Sequence, residues 1–148
     1  MADLPIIWMV RLHGLMGFAT LYPSYELDPF ERGRQIEQAL GHNLPSNFPT
    51  IDRFSNGLAT SIKSLDLDAA AYQSTSDLNR TLKGYVDAVA GFQGRTWAGV
   101  RIRPQDITGR ALDLAIPHSG SAAQQAIINQ VVQYGASRRV TVNVIPFP

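Results

Sequence analysis

The dipeptide Asn56-Gly57 constrains the fold of this chain more than any other local feature. Both residues tolerate positive φ angles, so the pair predicts a two-residue β-hairpin turn. The turn lies between the runs TIDRFS and LATSIKSL, both of which have strand-like character. A two-residue turn fixes the strand register, so Ser55 is predicted to face Leu58, and every later pair follows by counting.

Counting outward from the turn predicts a polar face on this hairpin. Side chains two residues apart on a strand point the same way, and Asp52 then faces Ser61 while Thr50 faces Lys63. This face carries Thr50, Asp52, Ser61 and Lys63. The opposite, apolar face carries Ile51 and Ile62. An acid, a hydroxyl and a lysine on one strand-pair surface form a cluster that can carry chemistry.

A helix is predicted directly before the hairpin. Asp28 suits an N-cap, Pro29 suits the first helical position and Glu31 completes a capping box. The helix is expected to run to Leu40, with Gly41 ending it.

The rest of the chain alternates helices and strands. Helices are predicted over residues 75–92 and 119–134, the second ended by Gly135, and strands in TWAGVRIR, GRALDLAIP and RRVTVNVIPF. The order predicts an α/β fold, a mixed β-sheet flanked by helices. A length of 148 residues is typical of a single domain. We predict that this domain spans residues 28–148 and that residues 1–27 form a segment that packs on it or precedes it.

Glu37 adds a second carboxylate to the polar face. It lies on the first helix at the border of the stripe expected to pack on the sheet, and Gly33 permits close approach of helix and strand. Carboxylates such as Glu37 and Asp52 hold a hard divalent cation, which activates water for phosphodiester hydrolysis. Lys63 would position that water or stabilise the transition state, and Ser61 would support it.

Composition narrows the alternatives. The chain has no cysteine, which excludes disulfides, thiolate metal sites and cysteine nucleophiles. The net charge is only +1, so any surface that binds nucleic acid must come from a local cluster of positive side chains. The candidates for phosphate contacts are Arg34, Arg101, Arg103 and Arg110. The apolar stretches near the N-terminus are too short for a membrane span, so no stable membrane association of the core domain is expected.

The acid in FERGRQIE, the aspartate of PTID and the lysine of TSIK resemble the PD-(D/E)xK, restriction-endonuclease-like nuclease superfamily. Over residues 30–147, longer strings are similar to C-terminal toxin domains of contact-dependent growth inhibition (CdiA-type) proteins and related polymorphic toxins. These strings include GLATSIKSLDL and GRALDLAIP. The chain departs from the superfamily at Ser61, where Glu or Asp is common.

The resemblance implies a core of α-β-β-β-α-β order and an interbacterial nuclease toxin. It implies a divalent metal ion held by Glu37 and Asp52, with Mg²⁺ favoured over Zn²⁺ and Mn²⁺. It further implies a cognate immunity protein, export as part of a larger secreted or cell-surface protein, and action in the cytoplasm of a target bacterium. By family analogy, tRNA is favoured as substrate over DNA.

Two other functions remain open at this stage. A metal-free acid–base ribonuclease would use histidine as proton carrier, with His42 after the first helix as the candidate. A non-catalytic binding domain would use the same sheet face as an interaction surface.

Overall fold

The computed structural model describes residues 6–12, 15–21, 25 and 27–148, with side chains described at residue 25 and over 27–148. The predicted boundary after residue 27 falls where only part of the chain is described, so that division stays a prediction. The helices are α1 (Pro29–Ala39), α2 (Thr75–Ala90) and α3 (Ala122–Ser137). The strands are β1 (Ile6–Leu12), β2 (Leu15–Leu21), β3 (Arg53–Ser55), β4 (Leu58–Ser64), β5 (Arg95–Trp97), β6 (Val100–Ile102), β7 (Gly109–Ile116) and β8 (Val140–Pro146).

The central sheet has the strand order β3-β4-β7-β8. Strand β3 pairs antiparallel with β4, whereas β4 with β7 and β7 with β8 are parallel. Each parallel connection contains a helix, α2 in the first and α3 in the second. The mixed sheet flanked by helices that the sequence predicts is therefore confirmed, with α2 inserted between the second and third of its strands.

Side chains from the two faces of this sheet pack into separate clusters. The larger cluster joins alternate β7 residues, Leu112 and Leu114, to α2 and α3. The smaller cluster lies under α1 and contains Ile36, Ile62 and Ala115. Helix α1 thus covers one face of the sheet, and α2 and α3 cover the other.

The predicted start of α1 is confirmed, but its capping box is not formed. An Asp28 carboxylate oxygen accepts hydrogen bonds from the backbone N–H groups of Phe30 and Glu31 at 3.0 and 3.1 Å. The Glu31 carboxylate binds Arg34 one turn later instead of reaching back to the cap. This ion pair fixes the first turn of the helix in another way.

Two predictions about elements are wrong. The run TWAGVRIR forms a separate two-stranded hairpin, because Ala98 and Gly99 have φ angles of 50° and 81°. Gly135 does not end α3; it lies inside the helix, where an added Cβ would meet the Val140 carbonyl oxygen at 2.9 Å. The glycine lets α3 approach β8 closely.

Among the residues that the structure describes, no helix is both long and apolar enough to cross a membrane.

Candidate active site

The hairpin that anchors the site has the predicted turn and register. Asn56 and Gly57 adopt φ angles of 51° and 82°. Ser55 pairs with Leu58 and Arg53 with Thr60, as counting from the turn requires.

The last β3–β4 pair is Arg53 with Thr60, but the backbone N–H of Asp52 also donates to the Thr60 carbonyl oxygen at 2.9 Å. An Asp52 carboxylate oxygen accepts a hydrogen bond from the backbone N–H of Ile62 at 2.7 Å. That N–H points toward the side on which β3 would have continued. In the described part of the chain no strand pairs with this side of β4 beyond Thr60, so an open sheet edge begins at the Asp52 carboxylate.

The predicted faces fail beyond the point where pairing stops. Ile51 packs in the larger cluster and Ile62 in the smaller one, on opposite faces of the sheet. Thr50 has a φ angle of 75°, which turns the chain out of the strand, so it does not share a face with Lys63. The count placed Asp52 opposite Ser61, but its N–H bonds to Thr60, the partner of Arg53. Two residues opposite one form a bulge, which shifts the register by one residue.

Ser61 and Lys63 point to the α2 side of β4, as their spacing predicts. Ser61 is buried, with 2% of its surface exposed. The Lys63 Nζ lies 5.6 Å from the centroid of the Tyr85 ring on α2, and the lysine is only half-buried. The ring holds the ammonium by a cation–π contact at the open edge.

Glu37 joins this group from α1. Burial raises the pKa of the Glu37 carboxyl group, and the Asp52 carboxylate raises it further, while His42 and Lys63 lower it. Burial also raises the pKa of Asp52, against the Ile62 hydrogen bond and the charges of Lys63 and His42. The charges of Asp52 and Lys63 both act on Glu37, and that of Lys63 also acts on Asp52. Three of the four predicted catalytic residues are therefore close enough to interact electrostatically.

The backbone on both sides of Asp52 is anchored. Its carbonyl oxygen accepts hydrogen bonds from the N–H groups of Asn43 and Leu44 at 3.1 and 3.3 Å. The neighbouring Arg53 donates to the Leu40 carbonyl oxygen at the end of α1 and to the buried carboxylate of Asp113 on β7 at 3.0 Å. These contacts tie the strand that carries Asp52 to the helix that carries Glu37.

An open cavity of about 570 Å³ contains both carboxylates. One wall is a single face of α1, and the other is the loop that leads to Asp52. The lining residues are Pro29, Phe30, Gly33, Arg34, Glu37, Gln38, His42, Pro45, Ser46, Asn47, Phe48 and Asp52. We call this cavity the α1 groove. The hypothesis that His42 approaches the site agrees with its position here.

The groove contains residues that the sequence reasoning did not single out. Phe30, Gly33 and Glu37 follow the i, i+3, i+7 spacing of one helix face. This spacing is visible in the sequence. The same segment also fits a capping motif at the start of a helix, however, and a capping motif by itself does not predict a groove. The opposite wall, residues 45–48, carries no periodic signal and is placed by tertiary packing of Leu44 and Phe48 in the larger cluster.

The carboxylate pair fits a divalent cation. Burial raises the pKa of both carboxyl groups, and Asp52 raises that of Glu37 further, so a bound cation would favour their charged forms. No group of three or more His, Cys, Asp or Glu side chains able to hold a metal exists among the described residues. A two-carboxylate site completed by water and substrate phosphate is a common arrangement for Mg²⁺.

The four candidate phosphate-binding arginines lie in different places. Arg34 is on the rim of the α1 groove, where Glu31 binds it at 2.7 Å. Arg101 is exposed on β6, and Arg103 just after β6 binds Asp106. Arg110 on β7 donates from Nε and Nη2 to the Phe92 carbonyl oxygen at 3.0 and 2.7 Å, which is a structural contact.

Comparisons with known proteins agree with the fold. A family model described as "CDI toxin restriction endonuclease-like domain" matches residues 32–145. The chain is similar to "Deoxyribonuclease CdiA" of Yersinia pseudotuberculosis serotype O:3 (strain YPIII), with 33% identity over 108 residues, covering 71% of this chain and 10% of the relative. It is 34% identical over 104 residues to "Deoxyribonuclease CdiA-o11" of Escherichia coli O157:H7 (strain EC869), covering 68% of this chain and 28% of the relative.

The chain thus spans about a tenth and about a quarter of the lengths of these two curated relatives. A solved structure, the "CdiA-CT/CdiI toxin and immunity complex from Yersinia pseudotuberculosis", resembles it with a TM-score of 0.61 and 30% identity. That match covers 71% of this chain and 87% of the other.

Proposed function

Because this chain belongs to the CDI toxin restriction endonuclease-like domain family, we propose that it is a metal-dependent deoxyribonuclease toxin domain whose active site is built from Glu37, Asp52 and Lys63. The observation that carries the proposal is the convergence of two half-buried carboxylates and a lysine at the open edge of β4. Phosphodiester hydrolysis needs that combination of charges.

Each residue has a distinct role in this proposal. Glu37 and Asp52 would hold a divalent cation, which when bound polarises the phosphoryl oxygen and lowers the pKa of a bound water. The Lys63 ammonium stabilises the negative charge that develops on the phosphate, or orients the attacking water. Ser61, buried beneath the edge, supports the strand that presents Lys63.

DNA replaces tRNA as the favoured substrate. The sequence resemblance alone favours tRNA, but both curated relatives are named deoxyribonucleases. The proposal accordingly takes DNA as the substrate and keeps tRNA as a comparison in the test.

The biological setting follows from the same relatives. The matching structure is a toxin and immunity complex, so a cognate immunity protein is proposed to neutralise this domain. The relatives are much longer proteins, so export as part of a larger cell-surface protein and action in the target cytoplasm belong to the proposal.

Cleavage assays with single-site variants test the assignment. Purified protein is incubated with plasmid DNA and with total tRNA, each with Mg²⁺, Mn²⁺, Zn²⁺ or EDTA. We expect metal-dependent cleavage of DNA, reduced at least about 100-fold in Lys63→Ala and Asp52→Asn. The matched control is Lys83→Ala, because Lys83 on α2 also lies over a tyrosine ring, Tyr134, at 5.1 Å.

Other outcomes separate the alternatives. Full cleavage by both site variants would refute the site. Cleavage of tRNA but not of DNA would show that tRNA is the substrate. Cleavage in EDTA that is lost in His42→Ala would favour the metal-free acid–base mechanism. Absence of cleavage of every substrate would favour a binding domain.

A further inference from the structure

The α1 groove holds an aromatic ring whose exposure the fold does not explain. Phe30 is 82% exposed, and within the described side chains the other large apolar residues that are exposed, Leu58 and Trp97, reach only 39% and 41%. A single exposed apolar residue is ordinary on a protein surface. Phe30 differs because it lines the same groove as Glu37 and Asp52.

The position of the ring relative to the carboxylates fits a strand of nucleic acid. Phe30 and Glu37 are seven residues apart on one helix face, which is about 10 Å along the axis. Stacked nucleotides advance about 3.4 Å each, so the separation corresponds to about three nucleotides. Between the two residues lies Gly33, where an added Cβ would meet nothing within 4 Å, so the wall of the groove is low there.

The surroundings of Phe30 suit a nucleotide rather than an apolar partner. Arg34, one turn along the helix and 63% exposed, is held by Glu31 through two hydrogen bonds that leave further guanidinium donors free. The opposite wall carries the polar, exposed residues Ser46 and Asn47. A ring for a base and a cation for a phosphate are the two elements of single-strand recognition.

The backbone at Phe30 is held by the N-cap of α1, so while the helix is formed the ring is already positioned for binding. Its N–H donates to the Asp28 cap at 3.0 Å, and the preceding Pro29 has a restricted φ. A preorganised ring loses only its own side-chain freedom when a base stacks on it.

We propose that Phe30 stacks on a nucleobase of the substrate strand within about three nucleotides of the scissile phosphate, with Arg34 contacting the adjoining backbone. The proposal rests on the nuclease function proposed above and names how that site holds its substrate. Stacking requires an exposed base face, so the groove favours single-stranded or locally opened DNA over an intact duplex.

Equilibrium binding in EDTA tests this without relying on catalysis. The probe is a fluorescent single-stranded DNA oligonucleotide, measured by anisotropy, with a series of otherwise identical oligonucleotides that each lack one base. We expect Phe30→Ala and Phe30→Leu to weaken binding roughly five-fold or more, and Phe30→Trp to retain it. Wild type should lose affinity at one particular abasic position, to which Phe30→Ala should be insensitive.

Trp97→Ala is the matched control, since Trp97 is an exposed aromatic beside Arg95 but lies outside the groove. The proposal would be overturned if Phe30→Ala bound DNA with unchanged affinity, or if Trp97→Ala lost as much affinity as Phe30→Ala. It would also be overturned if the loss caused by Phe30→Ala added to the loss at every abasic position, because then no single base would depend on the ring. If Phe30→Ala binds DNA normally but loses affinity for an immunity protein, the ring serves a protein partner instead.

The outcome is distinguishable from failure of the proposed function. Protein that cleaves plasmid DNA with metal, but binds equally with and without Phe30, keeps its nuclease assignment and loses this contact. Protein that binds DNA through Phe30 yet cleaves nothing keeps the contact and loses the nuclease assignment. Protein that neither binds nor cleaves DNA loses both.

Discussion

Asp52 has a structural role in this protein and, in the function that we propose, a chemical one. One carboxylate oxygen accepts the Ile62 N–H at 2.7 Å, just beyond the last β3–β4 pair. The charge of the same carboxylate raises the pKa of Glu37, and the charge of Lys63 lowers the pKa of Asp52. Asp52→Asn keeps an acceptor and removes the charge, whereas Asp52→Ala removes both, so the two variants separate the contribution to stability from that to catalysis.

The raised pKa of Glu37 predicts how stability depends on pH. Its proton is bound more tightly in the folded chain, so the stability it contributes is complete below about pH 4 and is lost as the pH rises through the raised value. We expect Glu37→Gln to unfold at a higher Tm than wild type at pH 7, with the difference narrowing as the pH falls toward 4. Thermal unfolding followed by circular dichroism across this range measures the difference.

Asp106 provides a control of opposite sign. Hydrogen bonds from Arg103 lower its pKa to about 2, so its contribution to stability is present above about pH 4 and is lost as the pH falls toward 2. Asp106→Asn should therefore unfold at a lower Tm than wild type at pH 7. A Glu37→Gln variant that behaves like Asp106→Asn would contradict the electrostatic description of the site.

At the level of secondary-structure elements, the turn of the β3–β4 hairpin is held in place by hydrogen bonds from the start of β7. The Gly57 carbonyl oxygen accepts hydrogen bonds from the N–H groups of Thr108 and Gly109 at 2.9 and 3.3 Å, just before β7. The turn is therefore fixed against the strand that pairs with β4 on its other side. The register that presents Asp52 and Lys63 is set by both local and tertiary contacts.

Alanine substitutions at two glycines separate these contributions. Gly57 and Gly41 have φ angles of 82° and 81°, but an added Cβ meets Thr108 Oγ1 at 2.3 Å only at Gly57 and nothing within 4 Å at Gly41. Both variants should lose about 1–2 kcal/mol from the left-handed backbone. Gly57→Ala should lose roughly 1 kcal/mol more from overpacking. Urea unfolding measures both, and equal losses would show that Thr108 moves away without cost.

At the scale of the whole molecule, the two faces of the sheet are unequally stabilised. Most of the buried apolar side chains lie between the sheet and α2 with α3. Among the described side chains, helix α1 contributes Ile36 to a cluster of three buried residues, against which Tyr25, Leu40 and Phe147 pack. Arg53 donates a hydrogen bond to the Leu40 carbonyl oxygen at the end of the helix. In the described part of the chain, Glu37 and Phe30, to which we assign functions, therefore belong to the layer with the smaller buried cluster.

Native-state hydrogen exchange should show this asymmetry. Local opening requires little free energy where few apolar contacts hold an element, so α1 amides should exchange faster than those of β7, and faster than those of α2 as the helical control. Exchange followed by mass spectrometry resolves these segments. Equal protection of α1 and β7 would show that α1 opens only with the whole domain.

The sequence by itself determined the features that depend on neighbouring residues. The Asn56-Gly57 turn fixed the pairs from Ser55 with Leu58 to Arg53 with Thr60, and Asp28 fixed the start of α1. The apolar residues Leu78, Leu82, Val86 and Val89 recur at helical spacing in the sequence, and all four are buried in α2. These follow from backbone geometry and short-range hydrogen bonds, which act over a few residues and so can be read locally.

Only the tertiary structure decided the features that depend on distant partners. The chain leaves the predicted register at Asp52, whose N–H bonds to Thr60 and whose carboxylate bonds to Ile62, and Ile51 and Ile62 pack on opposite faces. Close packing of α3 on β8 turned Gly135 from a predicted helix end into a point of contact. The groove that joins Phe30 to Glu37 and Asp52 exists only because α1 and the following loop pack side by side. Their contacts join residues far apart in the chain, and nothing local in the sequence encodes which of them form.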